Sequence, residues 1–301
     1  MAAVTNTDRF YELVPKAAKV ERLGTGFTFT EGPVWNHAGK FLLFSDMPGD
    51  VRRRWDAKGG VREVERPSNK GNGMTYEVDG GLLICEHATS SVVRQRADGS
   101  RETVVSHYAG KELNSPNDIV VARDKSIYFS DPTYGRMPIF GVERKQDLSF
   151  QGVYRVQPSG QGIKLLADDF GQPNGLCFSP DESLLYINDS ARAHIRVFKV
   201  ASDGTIGSGS TFFEHIGSGA IEEGIPDGMK CDAEGNIYVT GPGGIWVIDP
   251  DARLLGRIPV PENVGNLNWG GDDWKTLFIC ASTSLYKIDL SVMGNRLPYM
   301  V

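Results

Sequence analysis

The chain has 301 residues, with 32 basic and 38 acidic side chains and a net charge of −6. Neither sign of charge forms a long run, which argues against the basic face of a nucleic-acid-binding protein. Residues 1–20 hold no apolar stretch of the signal-peptide kind, and no segment approaches the roughly 18 to 20 apolar residues of a membrane span. We therefore expect a cytoplasmic protein that binds neither nucleic acid nor membrane. The composition leaves the oligomeric state open.

A five-residue pattern occurs six times along the chain. The copies are EGPVW at 31–35, NGMTY at 72–76, NDIVV at 117–121, NGLCF at 174–178, DGMKC at 227–231 and GNLNW at 265–269. Successive copies start 41, 45, 57, 53 and 38 residues apart. A period of about 40 to 50 residues is typical of the four-stranded blades of a β-propeller.

Each copy opens a unit with room for four strands. A turn rich in Gly and Asp leads to a nearly continuous apolar second strand, and more alternating third and fourth strands follow. The sixth unit lacks a fourth strand after it, and KVERLG at 19–24 supplies the missing pattern. We predict an all-β fold: a six-bladed propeller of four-stranded antiparallel blades, closed by this N-terminal strand beside Ser284 to Leu290. The alternative, a pair of β-sandwiches, gives no reason for six copies.

These assignments also set the domain boundaries. Residues 1–18 form an N-terminal extension, and residues 19–301 form a single propeller domain with blades starting near residues 31, 72, 117, 174, 227 and 265. The four cysteines, Cys85, Cys177, Cys231 and Cys280, lie in apolar strands without CxxC spacing. We expect them to be free, buried thiols.

Polar residues recur at two positions of the unit. The first position of the five-residue pattern is occupied by Glu31, Asn72, Asn117, Asn174, Asp227 and Gly265. The last position of the second strand is occupied by Asp46, Glu86, Asp131, Asp189, Gly241 and Ala281. Because the first strand of an antiparallel pair starts where the second ends, both sets lie on one face of the ring. Turn capping could explain any one of them, but it does not explain why this face collects acids.

Carboxylates that crowd around a narrow axis repel one another unless a cation neutralises them. Carboxylate and amide oxygens, without Cys or His, favour a hard divalent ion. We therefore expect one divalent cation. Calcium is favoured because it tolerates irregular oxygen coordination, and magnesium, manganese or zinc are the other candidates.

Four longer motifs resemble the senescence-marker-protein, gluconolactonase and luciferin-regenerating-enzyme family. They are EGPVW, LNSPND followed by YFSDPTYG, PNGLCFSPD, and IPDGMKCDAEGNIYV, and the similarity runs from about Lys19 to Leu290. ICEHATSSVVR at 84–94 looks most like the bacterial sugar-lactonase branch. The resemblance implies a six-bladed propeller that hydrolyses lactones with one catalytic divalent ion. It also implies which residues bind the metal, namely Glu31, Asn117, Asn174 and Asp227.

The resemblance supplies a mechanism as a hypothesis, and the residues on the acid-rich face and in the 132–152 segment supply candidate substrate contacts. Asp227 is the candidate general base toward the attacking water. Asn72, His87, Ser115, Asp131, Tyr134 and Phe140 are the candidate substrate-binding residues. Vertebrate members carry an Arg at the position of Ser115, so their sugar contacts do not transfer to this chain. The apolar side chains of the 132–152 segment predict a lid over the substrate.

Other functions stay open at this point. Related calcium propellers hydrolyse other lactones or phosphotriesters, and many propellers bind a protein or glycan without catalysis. A binding propeller would show aromatic and Arg residues around the rim rather than a set of metal-type ligands. A condensation of the strictosidine-synthase type would leave the ring of acids without a role.

Overall fold

The computed structural model describes residues 6–300 and contains six four-stranded antiparallel sheets. Blade 1 consists of β2 (Thr30–Asn36), β3 (Phe41–Asp46), β4 (Val51–Asp56) and β5 (Gly60–Glu65). Blade 2 consists of β6 (Gly71–Tyr76), β7 (Leu82–Glu86), β8 (Ser91–Gln95) and β9 (Arg101–Val105). A small hairpin, β10 (His107–Tyr108) and β11 (Lys111–Glu112), leads to blade 3, which consists of β12 (Ile119–Val121), β13 (Ile127–Asp131), β14 (Gln151–Val156) and β15 (Lys164–Phe170).

The remaining blades repeat this order. Blade 4 consists of β16 (Pro173–Phe178), β17 (Leu184–Asp189), β18 (His194–Lys199) and β19 (Ser210–Phe213). Blade 5 consists of β20 (Met229–Cys231), β21 (Ile237–Gly241), β22 (Gly244–Ile248) and β23 (Leu254–Pro259). Blade 6 consists of β24 (Val264–Gly270), β25 (Thr276–Ala281), β26 (Ser284–Asp289) and β1 (Glu21–Thr25). First strands of consecutive blades contact each other, and β24 contacts β2, so the six blades form the predicted closed propeller.

The N-terminal strand closes the ring as predicted. Strand β1 pairs antiparallel with β26, with Glu21 opposite Lys287 and Thr25 opposite Ser284. Blade 6 is thereby built from both ends of the propeller. Strand β1 covers the outer edge of β26, so this edge is not free to pair with another chain. Before β1, helix α1 (Asp8–Leu13) packs Phe10 and Leu13 against the cluster formed by blades 5 and 6.

Apolar clusters between adjacent blades hold the ring together. Between blades 2 and 3, for example, Leu83 and Cys85 pack with Ile119, Phe129 and Tyr154, all fully or almost fully buried. The second strands read as near-continuous apolar runs because both of their faces lie against neighbouring blades. All four cysteines are free and buried, as predicted.

Glycines near the axis fix how closely the blades approach. The second position of the five-residue pattern is Gly in four blades, and in three of them its backbone N–H donates to the first-position carbonyl of the next blade: Gly73 to Asn117 (2.8 Å) and Gly175 to Asp227 (3.0 Å) are two cases. A Cβ at Gly73 or Gly175 would lie 2.4 or 2.3 Å from the same carbonyl oxygen. Only glycine allows this contact, and the contact brings the first-position residues together around the axis.

A C-terminal segment, residues 291–300, covers the far end of the axis. The Asn295 backbone N–H donates to the Cys231 carbonyl, and its side-chain Nδ2 donates to the Phe178 carbonyl. Leu297 and Met300 line, with first-strand residues of five blades, a small cavity of about 20 Å³. Within residues 6–300, no helix is both long and apolar enough to cross a membrane.

Candidate active site

A cavity of about 320 Å³ opens at the near end of the axis, where the first strands begin. Eight of the ten site residues predicted from the sequence line this cavity: Glu31, Asn72, His87, Asn117, Tyr134, Phe140, Asn174 and Asp227. The other two, Ser115 and Asp131, are buried beside it and are not among its lining residues. The cavity is therefore the candidate active site.

β-Bulges aim the first-position side chains at the axis. In blades 1, 2 and 4 the register of the first two strands shifts at or just after the first position, for example between Glu31 and Val34. In blades 3 and 5 the first-position residues, Asn117 and Asp227, precede the ladder altogether. A bulge or an unpaired residue turns a side chain away from the alternation of the sheet, which is why these residues face the axis.

Glu31 is held so that one carboxylate oxygen stays available. Its Oε2 accepts hydrogen bonds from the Gly32 N–H (2.8 Å) and from Asn266 Nδ2 (3.0 Å). Burial raises the pKa of Glu31, and the negative charge of Asp118 adds to that shift. A bound cation would offset the free-energy cost of keeping this buried carboxylate ionised.

Asp227 and Asn174 meet on the opposite side of the cavity. The Asp227 N–H donates to Thr240 Oγ1 (2.8 Å), which fixes the backbone just before β20. Asp227 is half-buried, and loss of solvation raises the pKa of its carboxyl well above the ordinary value, with repulsion from Glu31 as the next cause. Asn174 Nδ2 donates to Ser190 Oγ (3.1 Å), and Asn174 Oδ1 is buried without any hydrogen-bond partner.

His87 orients Asn72 through a chain of hydrogen bonds. His87 Nδ1 lies 2.8 Å from the Phe140 carbonyl, so it carries the proton and donates, and its Nε2 then accepts from Asn72 Nδ2 at 3.2 Å. Asn72 Oδ1 is consequently left buried with no partner. Burial lowers the pKa of His87 to about 4, so the ring stays neutral and keeps these roles at neutral pH.

Ser115 and Asp131 hold the turn that precedes Asn117. Asp131 accepts the Ser115 N–H at Oδ1 (2.7 Å) and the Asn114 N–H at Oδ2 (2.9 Å). Ser115 Oγ donates to the Pro132 carbonyl and accepts the Gly135 N–H. Asp46 and Asp189 accept backbone N–H groups in the same way ahead of the first strands of blades 1 and 4. The acids at the last position of the second strand thus have a structural role in each of these three turns.

The 132–150 segment forms one wall of the cavity. It contains the short 3₁₀ helix Tyr134–Arg136, and Tyr134 and Phe140 face the cavity, whereas Met137 and Ile139 are exposed. Buried Arg136 fastens the segment, because its guanidinium donates to the carbonyls of Leu113 and Asn114 and to Glu112. Whether the segment moves as a lid stays a prediction.

An apolar wall of the cavity was missed by the sequence analysis. It is formed by Phe29, Met47, Ile225 and Val264, and the ring of Phe29 meets that of Phe140 edge to face, with 5.7 Å between centroids. None of the four residues stands at a repeated polar position, so the repeat gave no signal for them. Phe29 and Val264 each precede a first-position residue by one or two positions, which is the pattern that could have indicated them.

The donors present fit a hard divalent ion. The described residues contain no group of three or more His, Cys, Asp and Glu side chains arranged to hold a metal, because two of the four predicted ligands are amides. The buried, unpartnered oxygens of Asn72 and Asn174 are the observation that favours a ligand here. A polar atom buried without a partner costs about 1 to 3 kcal/mol, and a cation would supply the missing interaction.

Fold and site together define a six-bladed propeller with an oxygen-rich axial pocket, and comparisons with known proteins agree. The family model described as the SMP-30/Gluconolactonase/LRE-like region matches residues 29–283. The gluconolactonase of Zymomonas mobilis is 31% identical over 95% of this chain and 85% of its own length. The pentonolactonase XacC of Haloferax volcanii is 28% identical over 83% of this chain and 80% of its own.

A solved structure is also similar. XC5397 of Xanthomonas campestris, a gluconolactonase, matches with a TM-score of 0.87 and 32% identity, covering 96% of this chain and 95% of that one. The chain belongs to the SMP-30/Gluconolactonase/LRE-like family, as its motifs predicted.

The low pKa of His87 predicts a specific pH dependence of stability. Between pH 6.5 and about 4, His87 is protonated in the unfolded chain but not in the folded protein. The free energy of unfolding therefore decreases as the pH is lowered through this range. The contribution lost is about 3 kcal/mol. Urea unfolding across this range should therefore show a weaker pH dependence for H87Q than for the wild type. The exposed His107 provides the control: H107Q should follow the wild type, and a wild-type slope in H87Q would contradict the assignment.

Proposed function

We propose that the protein is a divalent-metal-dependent lactonase that hydrolyses a sugar lactone to the aldonic acid, as a gluconolactonase does. The observation that carries the proposal is the buried, unpartnered Asn174 Oδ1, which lines the axial cavity together with the buried carboxylate of Glu31 and the half-buried carboxylate of Asp227. The names of the relatives, a gluconolactonase and a pentonolactonase, support a lactone substrate. The function class is thus that of a lactone hydrolase.

Glu31, Asn117, Asn174 and Asp227 would hold the ion. These residues offer only oxygen donors, two carboxylates and two amides, which favours calcium; magnesium, manganese and zinc are alternatives. A divalent ion bound there would act as a Lewis acid that polarises the lactone carbonyl and stabilises the developing negative charge.

The chain's own residues would position the substrate and move the proton. Asp227 accepts the proton of the attacking water, a role that suits a carboxylate whose pKa is raised by burial. Asn72 and neutral His87 form one side of the substrate site, and burial raises the pKa of Tyr134 to about 12, so its hydroxyl stays protonated and can donate to a substrate oxygen. Phe29 and Phe140 cover the apolar face of the lactone ring.

Ser115 and Asp131 act on the substrate indirectly in this proposal. They fix the backbone before Asn117 and the start of the 132–150 segment, and so set the positions of Asn117 and Tyr134.

We further propose that the propeller domain spans residues 19–301, with residues 1–18 as an extension, and that the protein acts on its lactone in the cytoplasm.

Metal removal tests the proposal. Protein treated with EDTA should lose hydrolysis of glucono-1,5-lactone, followed as proton release in weak buffer. Addition of calcium, magnesium, manganese or zinc should restore it, with calcium the most effective. Hydrolysis that persists in folded, metal-free protein would contradict the metal dependence. A folded protein that shows no hydrolysis with any metal would point first to another lactone.

A further inference from the structure

Asp118 breaks the glycine rule of the second position. That position is Gly in four blades, because a Cβ would collide with the neighbouring backbone. Only Asp118 in blade 3 and Asn266 in blade 6 carry side chains there. Asn266 has a structural role, because its Nδ2 donates a hydrogen bond to Glu31 Oε2. The carboxylate of Asp118 is 3% exposed and lies next to the proposed ligand Asn117.

Lys230 reaches Asp118 from blade 5, two blades further along the ring. Its Nζ comes from strand β20 of blade 5 and donates to Asp118 Oδ2 at 3.0 Å and to the Met229 carbonyl at 3.1 Å. Its side chain is 13% exposed and lines the small cavity beneath the site, where it is the one charged group among the described lining residues. A lysine is rarely buried this deeply unless it is paired, so the ammonium is held in place as a fixed charge.

Four charged side chains interact near the axis: those of Glu31, Asp118, Asp227 and Lys230. Asp118 raises the pKa of both Glu31 and Asp227, and Lys230 lowers the pKa of both. Three carboxylates and one ammonium leave a net charge of −2. A single divalent ion would bring this buried group to neutrality, which is the condition under which buried charges are tolerated.

We propose that Lys230 is a built-in cation that sets the charge of the axial site to −2 and so selects a divalent over a trivalent ion. The inference rests on the proposed metal site. Lys230 would act through its fixed positive charge and would not contact the substrate. Ligand charge is a main determinant of cation affinity in oxygen sites. Altering the charge beneath the ligands therefore changes which ion fits best.

The test compares four proteins by metal binding alone: wild type, K230M, D118N and the double variant K230M/D118N. Calcium affinity is measured by titration calorimetry and terbium(III) affinity by luminescence. K230M, at −3, should raise the ratio of terbium to calcium affinity about tenfold or more, and D118N, at −1, should weaken calcium binding by about tenfold. The double variant returns to −2 and should recover the wild-type ratio within about threefold.

The comparison of D118N with the double variant keeps the test valid if K230M alone does not fold. Both variants lack the Asp118 charge, so neither leaves it buried without a partner, and the double variant must bind calcium more tightly than D118N. An unchanged ratio in folded K230M, or a double variant that binds calcium more weakly than D118N, would overturn the inference and leave the proposed function intact. Wild-type protein that binds no divalent ion would overturn both.

Discussion

Replacing Asp227 with asparagine is expected to lower the kcat for lactone hydrolysis by about 10³-fold, even when metal is saturating. Asparagine keeps an oxygen that can coordinate a cation but cannot accept a proton from water. The pKa of Asp227 is raised by burial and by repulsion from Glu31, so the group is a stronger base than an ordinary aspartate. Steady-state kinetics at several calcium concentrations will separate weaker metal binding from lost chemistry.

Glu31→Gln is the matched control for that experiment. It removes the same charge from the same proposed metal site, but from a carboxylate whose Oε2 is already bonded to Gly32 and Asn266. Saturating calcium should therefore restore much of the turnover of E31Q and little of the turnover of D227N. Equal recovery of the two variants would remove Asp227 from proton transfer and leave it as a metal ligand only.

Gly175→Ala should destabilise the protein by about 2 to 5 kcal/mol. A Cβ at residue 175 would lie 2.3 Å from the Asp227 carbonyl oxygen and 2.6 Å from the Met229 nitrogen, both of which are backbone atoms. The backbone of blade 4 or blade 5 must then shift, which breaks the hydrogen bond from the Gly175 N–H to the Asp227 carbonyl. Chemical denaturation measures the loss, and calcium titration should show weaker binding because Asp227 moves with its backbone.

Gly207→Ala isolates the effect of the added methyl group. A Cβ at residue 207 would meet no atom within 4 Å. Its unfolding midpoint should stay close to that of the wild type or rise slightly, because alanine restricts the unfolded chain. A loss of stability as large as that of G175A would show that the axial contact is not the cause.

The sequence predicted the fold well because the information was repeated. Six aligned copies set the blade number, and the missing fourth strand after Leu290 placed β1 beside β26. The short hairpin His107–Glu112 and helix α1 belong to no repeat and were not foreseen. Single, non-repeated segments carry only local signals, which tertiary packing easily overrides.

The site was predicted where one position of the repeat maps onto one place in space. Eight of ten candidates line the cavity, and five of the eight are first-position residues, which face the axis. Asp131 and Ser115 share the face but point into a turn, and a strand-end position cannot distinguish these two directions. The roles of Lys230 and of the apolar wall depend on contacts between residues of different blades. Lys230 and Asp118, for example, are 112 residues apart, and the spacing within one copy of the repeat does not predict such a contact.

The C-terminal segment that covers the far end of the axis decides how molecules reach the site. Asn295 is bonded to Phe178 and Cys231, and Met300 is buried, so in the described part of the chain the central channel is blocked beneath Lys230. Substrate and product must then both use the near end of the axis, where the exposed Ile221 is one of the residues that line the cavity. With one opening, each lactone can enter the cavity only after the acid formed in the previous turnover has left.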